Sequence, residues 1–199
     1  MSDIKSLFHA NKGEWSEIYT MFKIMDEREV VSAGSDLLPN GDETFKFLKI
    51  YRDIEAGIRH EYDITKHDEI TIYNEKHDVL KVIKPRALKK SIAHIFQSID
   101  LATERTFAID GIEDIMSEYL LTQVKAGSTQ KSDILGEVAD RLGVGTRPLG
   151  FSVKSHIGGA PTLLNSSSHT NFVYKVSNFH GNIDTINQIN STKGKIRRR

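Results

Sequence analysis

The chain has 199 residues, 27 basic and 27 acidic side chains, 38% apolar residues and no cysteine. At a typical ~150 residues per domain this is one domain, or one large domain with an appendage, and the composition excludes wholesale disorder. Without cysteine there are no disulfides, no thiolate-held zinc and no thiol catalysis, and no apolar run approaches the ~18 residues of a membrane helix.

The first predicted element follows Asn11. Trp15, Ile18, Tyr19 and Phe22 recur at helical spacing, and Asn11 with Glu14 three residues on has the form of a capping box, so a helix is expected to about Met25. Residues Thr44 to Ile54 alternate as a strand, and Tyr62 to Ile83 reads as a hairpin turning at Asn74-Glu75-Lys76. Pro85 is expected to open a helix with the stripe Leu88, Ile92, Phe96 and Ile99, and with Arg86, Lys89 and Lys90 on another face. A further helix is expected from Gly111 to Val124. Strands follow at about Ser132–Ala139 and Leu149–Ser155, then a short helix at Ala160 to Asn165, a strand at Thr170 to Val176 and a last helix carrying Ile183, Ile186 and Ile189. This order predicts an α/β (α+β) domain around a mixed sheet, with residues 40–125 inserted between the first helix and the later strands.

The zero net charge hides segregation. Fourteen of the 27 acids lie between Asp26 and Asp78. None lies between Val79 and Ile99, where Lys81, Lys84, Arg86, Lys89 and Lys90 fall, and none between Arg141 and Ile183. A neutral protein with a basic side can hold a polyanion. The opening Met1-Ser2-Asp3-Ile4-Lys5 has no apolar signal region, so a cytoplasmic protein is expected. Gly143-Val-Gly145 lacks the Lys-Ser/Thr of a P-loop, so no nucleotide cofactor is expected. His60, His67 and His77 fit no metal-ligand spacing and read as surface residues.

The chemistry concentrates in Lys131-Ser-Asp-Ile134 and Gly150-Phe-Ser-Val-Lys-Ser155. Side chains alternate along a strand, so with Phe151 and Val153 facing the core, Ser152 and Lys154 face the other way together. Two neighbouring strands then set Asp133 beside Lys154. A carboxylate that holds Mg2+ and a lysine that stabilises developing charge are what phosphodiester hydrolysis needs. A solvated ion pair is the plain alternative for these two residues alone.

These segments resemble the core motif of the PD-(D/E)xK nuclease superfamily. With Asn11-Lys-Gly-Glu-Trp-Ser-Glu-Ile-Tyr19, Pro161-Thr-Leu-Leu-Asn165 and Thr170-Asn-Phe172, in the same order, they resemble HpaII-like type II restriction endonucleases along the full length. The resemblance implies a restriction-endonuclease-like fold in a single nuclease domain, 1–199, with its catalytic strands at about 131–176. It implies Asp133 as metal-binding aspartate and Lys154 as catalytic lysine. Ser152 stands where the pattern has Asp or Glu, and serine is a poor Mg2+ ligand. A glutamate of the first helix is the expected substitute: Glu17 by its Gly-x-x-x-Glu spacing, or Glu14, whose other role is the cap. Glu137, further along the strand of Asp133, is a third option. The backbone carbonyl of Val153 completes the implied metal set.

The implied reaction is Mg2+-dependent, in-line hydrolysis of double-stranded DNA at a short palindromic site, leaving 5′-phosphate and 3′-hydroxyl ends. The family prototype cuts C-C-G-G. A palindromic site favours a homodimer. Expected DNA contacts are His156, Asn165, Ser166 and Asn171 in the acid-free stretch, and Arg86 and Lys90 on the basic face. The chain is short for the family, so a missing C-terminal part is expected. A nuclease remnant that binds DNA without cutting is the alternative, since Ser152 breaks the motif.

Overall fold

The computed structural model describes residues 8–36, 38–55, 57–126, 132–139, 148–155, 157 and 181–191. After a short strand β1 (His9–Ala10), helix α1 runs Lys12–Glu27. Its start is the reciprocal box read from sequence: the Asn11 side chain accepts the Glu14 N–H at 3.0 Å, and the Glu14 carboxylate accepts the Asn11 N–H at 2.9 Å. Trp15, Ile18, Met21, Phe22 and Met25 are buried, with Tyr19 on the flank. The Trp15 indole N–H donates to the Phe107 carbonyl at 3.1 Å, so the one tryptophan brings its polar atom to a partner inside the core. The helix ends at Arg28, in the left-handed region at φ 63, whose guanidinium donates to the Ile64 and His67 carbonyls.

The next elements are β2 (Glu29–Ala33), β3 (Pro39–Glu55), β4 (Ile58–Asp63), β5 (Ile70–Tyr73) and β6 (Val79–Ile83). Then come α2 (Leu88–Leu101), β7 (Phe107–Ala108), α3 (Ile112–Glu118), β8 (Ile134–Val138), β9 (Pro148–Phe151) and α4 (Ile183–Ser191). The large sheet has the order β6-β5-β4-β3-β8-β9, with β2 also paired to β3, and β1 pairs with β7. Every pairing among the described residues is antiparallel, where a mixed sheet was expected. Residues 40–125 supply β3, which joins β4 to β8 and so lies in the middle of the sheet. Two compact units divide the chain, residues 1–161 and 162–199. The first contains the sheet and α1 to α3. In the second, Asn182 caps α4 by accepting the Thr185 N–H at 3.0 Å. No helix among the described residues is long and apolar enough to cross a membrane.

The boundaries depart from the sequence expectations for local reasons. The region expected as one hairpin is three strands, β4, β5 and β6, and its turn is closed by the Asn74 N–H donating to the Asp78 carbonyl at 3.0 Å. Pro85 is not the first residue of α2. It stands in a preceding turn, the cap is Ala87, and Arg86 precedes the helix rather than sharing its face with Lys90. The buried stripe of α2 is Leu88, Ile95 and Ile99, with Ile92 partly buried. Phe96 is exposed at the edge, its ring 5.5 Å from that of Tyr19. Helix α3 stops at Glu118, although apolar residues continue to Val124. Leu120 turns left-handed at φ 54, and Leu121 N–H returns to the Met116 carbonyl at 2.8 Å, a closing bond of the Schellman type. Leu121 and Val124 are still buried, now from an irregular segment.

Close packing fixes β8 against its neighbours. Ile134, Gly136 and Val138 face the core, while Asp133, Leu135 and Glu137 are half-buried on the other side. The rings of Phe47 (β3) and Phe151 (β9) lie 5.2 Å apart. A Cβ on Gly136 would stand 2.9 Å from the Phe47 ring and 2.9 Å from the Lys49 carbonyl oxygen. The glycine lets the aromatic pair close over β8, and that pair seats β9, the strand leading into Ser152 and Lys154.

Candidate active site

Asp133 is the residue before β8, and Ser152 follows β9. Ile134 pairs with Phe151, so the register carried one step on sets Asp133 opposite Ser152. The main contact across this gap uses backbone. The Val153 N–H donates to Asp133 Oδ2 at 2.7 Å, the length of a charge-assisted bond. Burial alternates from Phe151 to Ser155, with Ser152 and Lys154 exposed and Val153 half-buried, as the alternation of an extended chain requires. Lys154 makes no ion pair among the described residues. Its backbone adjoins the peptide that holds Asp133.

Glu17 comes to this place from α1. It is half-buried on the flank of the apolar face, between the buried Ser16 and Ile18. Its side chain has no hydrogen bond or ion pair among the described residues. Its pKa is pushed up to about 7, first by burial and next by the negative charge of Asp133, with Glu14 adding a little. Arg52 and Lys125 act in the opposite sense. Two carboxylates from distant parts of the chain therefore share one electrostatic environment. A hard divalent cation is bound by such oxygen donors, and it would relieve both the burial cost and the mutual repulsion. Among the described residues no three His, Cys, Asp or Glu side chains converge, so those residues offer two carboxylates here.

Arg52 was not singled out from the sequence. It is 3% exposed on the core side of β3 and donates to the Val124 carbonyl. Burial pulls its pKa down, and the charges of Tyr62, Glu17 and Asp53 pull it up. The available signal was its place between Ile50 and Ile54 in a strand, an arginine at an apolar position.

The other expected residues are placed as follows. Glu14 is engaged in the helix cap. Glu137 accepts the Tyr51 hydroxyl at 2.5 Å and lies more than ~10 Å along the strand from Asp133, too far to share one ion. Arg86 and Lys90 are exposed. His60, expected at the surface, is instead 9% exposed on β4, where burial pulls its pKa down. Its position on the core face of the strand, two residues before Tyr62, explains the difference. His156, Asn165, Ser166 and Asn171 lie outside the described residues, as do the strand expected at 170–176 and the short helix at 160–165.

The family model of the HpaII restriction endonuclease matches residues 11–199. The type II restriction enzyme HpaII of Haemophilus parainfluenzae is 32% identical over 192 residues, which cover 96% of this chain and 53% of that enzyme. The chain thus spans about half the length of that relative. No solved structure matches. A family match over residues 11–199, with 32% identity over 96% of the chain, makes this protein a member of the HpaII restriction endonuclease family.

Proposed function

We propose that the chain is the catalytic region of a Mg2+-dependent type II restriction endonuclease that cuts double-stranded DNA. The observation that carries this reading is the meeting of Glu17 and Asp133 beside the peptide that precedes Lys154. Glu17, Asp133 and the Val153 carbonyl would hold the cation, with Glu17 standing in for the carboxylate that Ser152 cannot supply. Bound there, Mg2+ supplies charge neutralisation at the phosphate and acidifies water. The chain's own residues do the rest. Val153 N–H fixes the Asp133 carboxylate, Glu17 would give up its proton to serve as a carboxylate ligand, and the exposed Lys154 ammonium would position water and stabilise charge on the phosphoryl oxygens. The substrate is a short palindrome, C-C-G-G by the family resemblance, cut to 5′-phosphate and 3′-hydroxyl ends by a homodimer in the cytoplasm. Ser152 also favours a second reading, a member that binds DNA without cutting it.

Plasmid DNA incubated with Mg2+ or with EDTA, beside Lys154→Ala, separates the two. Discrete fragments that need Mg2+, and a loss of about 100-fold or more in Lys154→Ala at unchanged Tm, support the nuclease. Retention of DNA without cleavage by the wild-type chain favours the second reading.

A further inference from the structure

The segment from Leu121 to Lys125 follows α3. It is pinned to β3 twice. Arg52 donates to the Val124 carbonyl, and the Gln123 amide donates to the Ile54 carbonyl at 3.0 Å. Leu121 and Val124 are 3% and 1% exposed, so the backbone is also anchored by apolar burial. Lys125, the next residue, is exposed. Tyr51 of β3 pairs with Leu135 of β8, so the register carried on sets Arg52 and Ile54 on either side of the position opposite Asp133. Arg52 is sealed in the core, whereas Lys125 stands at the surface. Lys23, Lys49 and Lys66 are each held by a glutamate, at 2.5 to 2.8 Å. Lys125 has no ion pair among the described residues.

We propose that Lys125 is a DNA-phosphate contact at the rim of the candidate active site, held there by the bond from Arg52 to the Val124 carbonyl and the bond from Gln123 to the Ile54 carbonyl. The inference rests on the nuclease reading and deepens it. An anchored backbone with an exposed ammonium suits a polyanion. Lys125 follows a segment bonded to β3 on either side of the position opposite Asp133, and an exposed cation there lies within reach of a phosphate close to the one attacked. Lys125 binds rather than reacts, so its removal weakens DNA binding and raises KM, with kcat little changed.

The test is the affinity of a labelled C-C-G-G duplex of about 20 base pairs in EDTA, followed between about 50 and 200 mM salt. The comparison is wild type, Lys125→Ala and Lys125→Arg, with Tm measured for each. Lys125→Ala is expected to bind about tenfold more weakly near 0.1 M salt. Its log-affinity against log-salt slope should be shallower by about one, and Lys125→Arg should restore both. With wild-type binding intact, an unchanged slope in Lys125→Ala overturns the assignment of Lys125 and leaves the nuclease reading standing. A failure of Lys125→Arg to restore it, at unchanged Tm, does the same. Wild-type protein that shows no salt-dependent binding overturns both.

Discussion

At the residue scale the site is a pair of carboxylates whose charges oppose each other across two elements. The consequence for stability follows from the raised pKa of Glu17. A carboxyl with pKa about 7 in the fold and about 4.5 unfolded contributes stability that is fully present below pH 4.5 and is lost as pH rises through 7. Metal-free protein therefore carries a repulsion at pH 8 that it lacks at pH 4.5. Glu17→Gln should raise the Tm in EDTA at pH 8 by a few degrees, from about 1–2 kcal/mol after allowing for solvent screening of a half-buried group. The gain should vanish by pH 4.5, and cleavage should be lost at every pH. Thermal melts at the two pH values check this, and an unchanged or lowered Tm at pH 8 contradicts it. Asp133, Lys154 and Glu17 could be chosen as candidates from sequence because each sits in a short local pattern. Arg52 and Lys125 could not, because their proximity to Glu17 depends on which strand faces which helix.

At the element scale, β8 works because of what it lacks. Gly136 leaves room for the Phe47 ring and for the approach of β3, and through Phe151 it sets the start of the Ser152–Lys154 segment. Gly136→Ala places a methyl group against a main-chain carbonyl that cannot swing aside, and should cost about 1–3 kcal/mol. Denaturant unfolding measures this. Phe47→Leu in the same chain should recover part of the loss, since it removes the ring contact and leaves the carbonyl contact. Helix α1 was legible because period and cap agree. The ends of α2 and α3 were not, because apolar residues run on past Glu118 while Leu120 turns the backbone, and periodicity records burial rather than conformation. Strand order was hidden for a different reason: it depends on pairings such as Ile50 with Gly136, far apart in sequence.

At the scale of the whole molecule, charge is the organising variable. The acid-free stretch from Val79 to Ile99 becomes β6, a turn and most of α2, and Arg86 and Lys90 are exposed on it. If that surface holds DNA backbone, Arg86→Ala with Lys90→Ala should weaken binding to specific and unrelated duplexes alike, and make the salt slope shallower by about two. Gel shifts across a salt series on both duplexes check this. A loss confined to the specific duplex would instead mean base contact. Composition alone made such a surface visible, but not its shape: Arg86 lies in the turn and Lys90 on the helix, a division no helical wheel could supply.

The hold on Asp133 has a consequence for how such a site drifts over time. The bond comes from the Val153 peptide N–H, which nineteen of the twenty amino acids would provide equally. Substitution at 152 or 153 leaves the aspartate's anchor intact, proline at 153 excepted. A lineage can therefore discard the carboxylate at 152 without dislodging its neighbour, provided another element brings one in. A motif written in side chains goes blank at that step while the scaffold beneath it stays put.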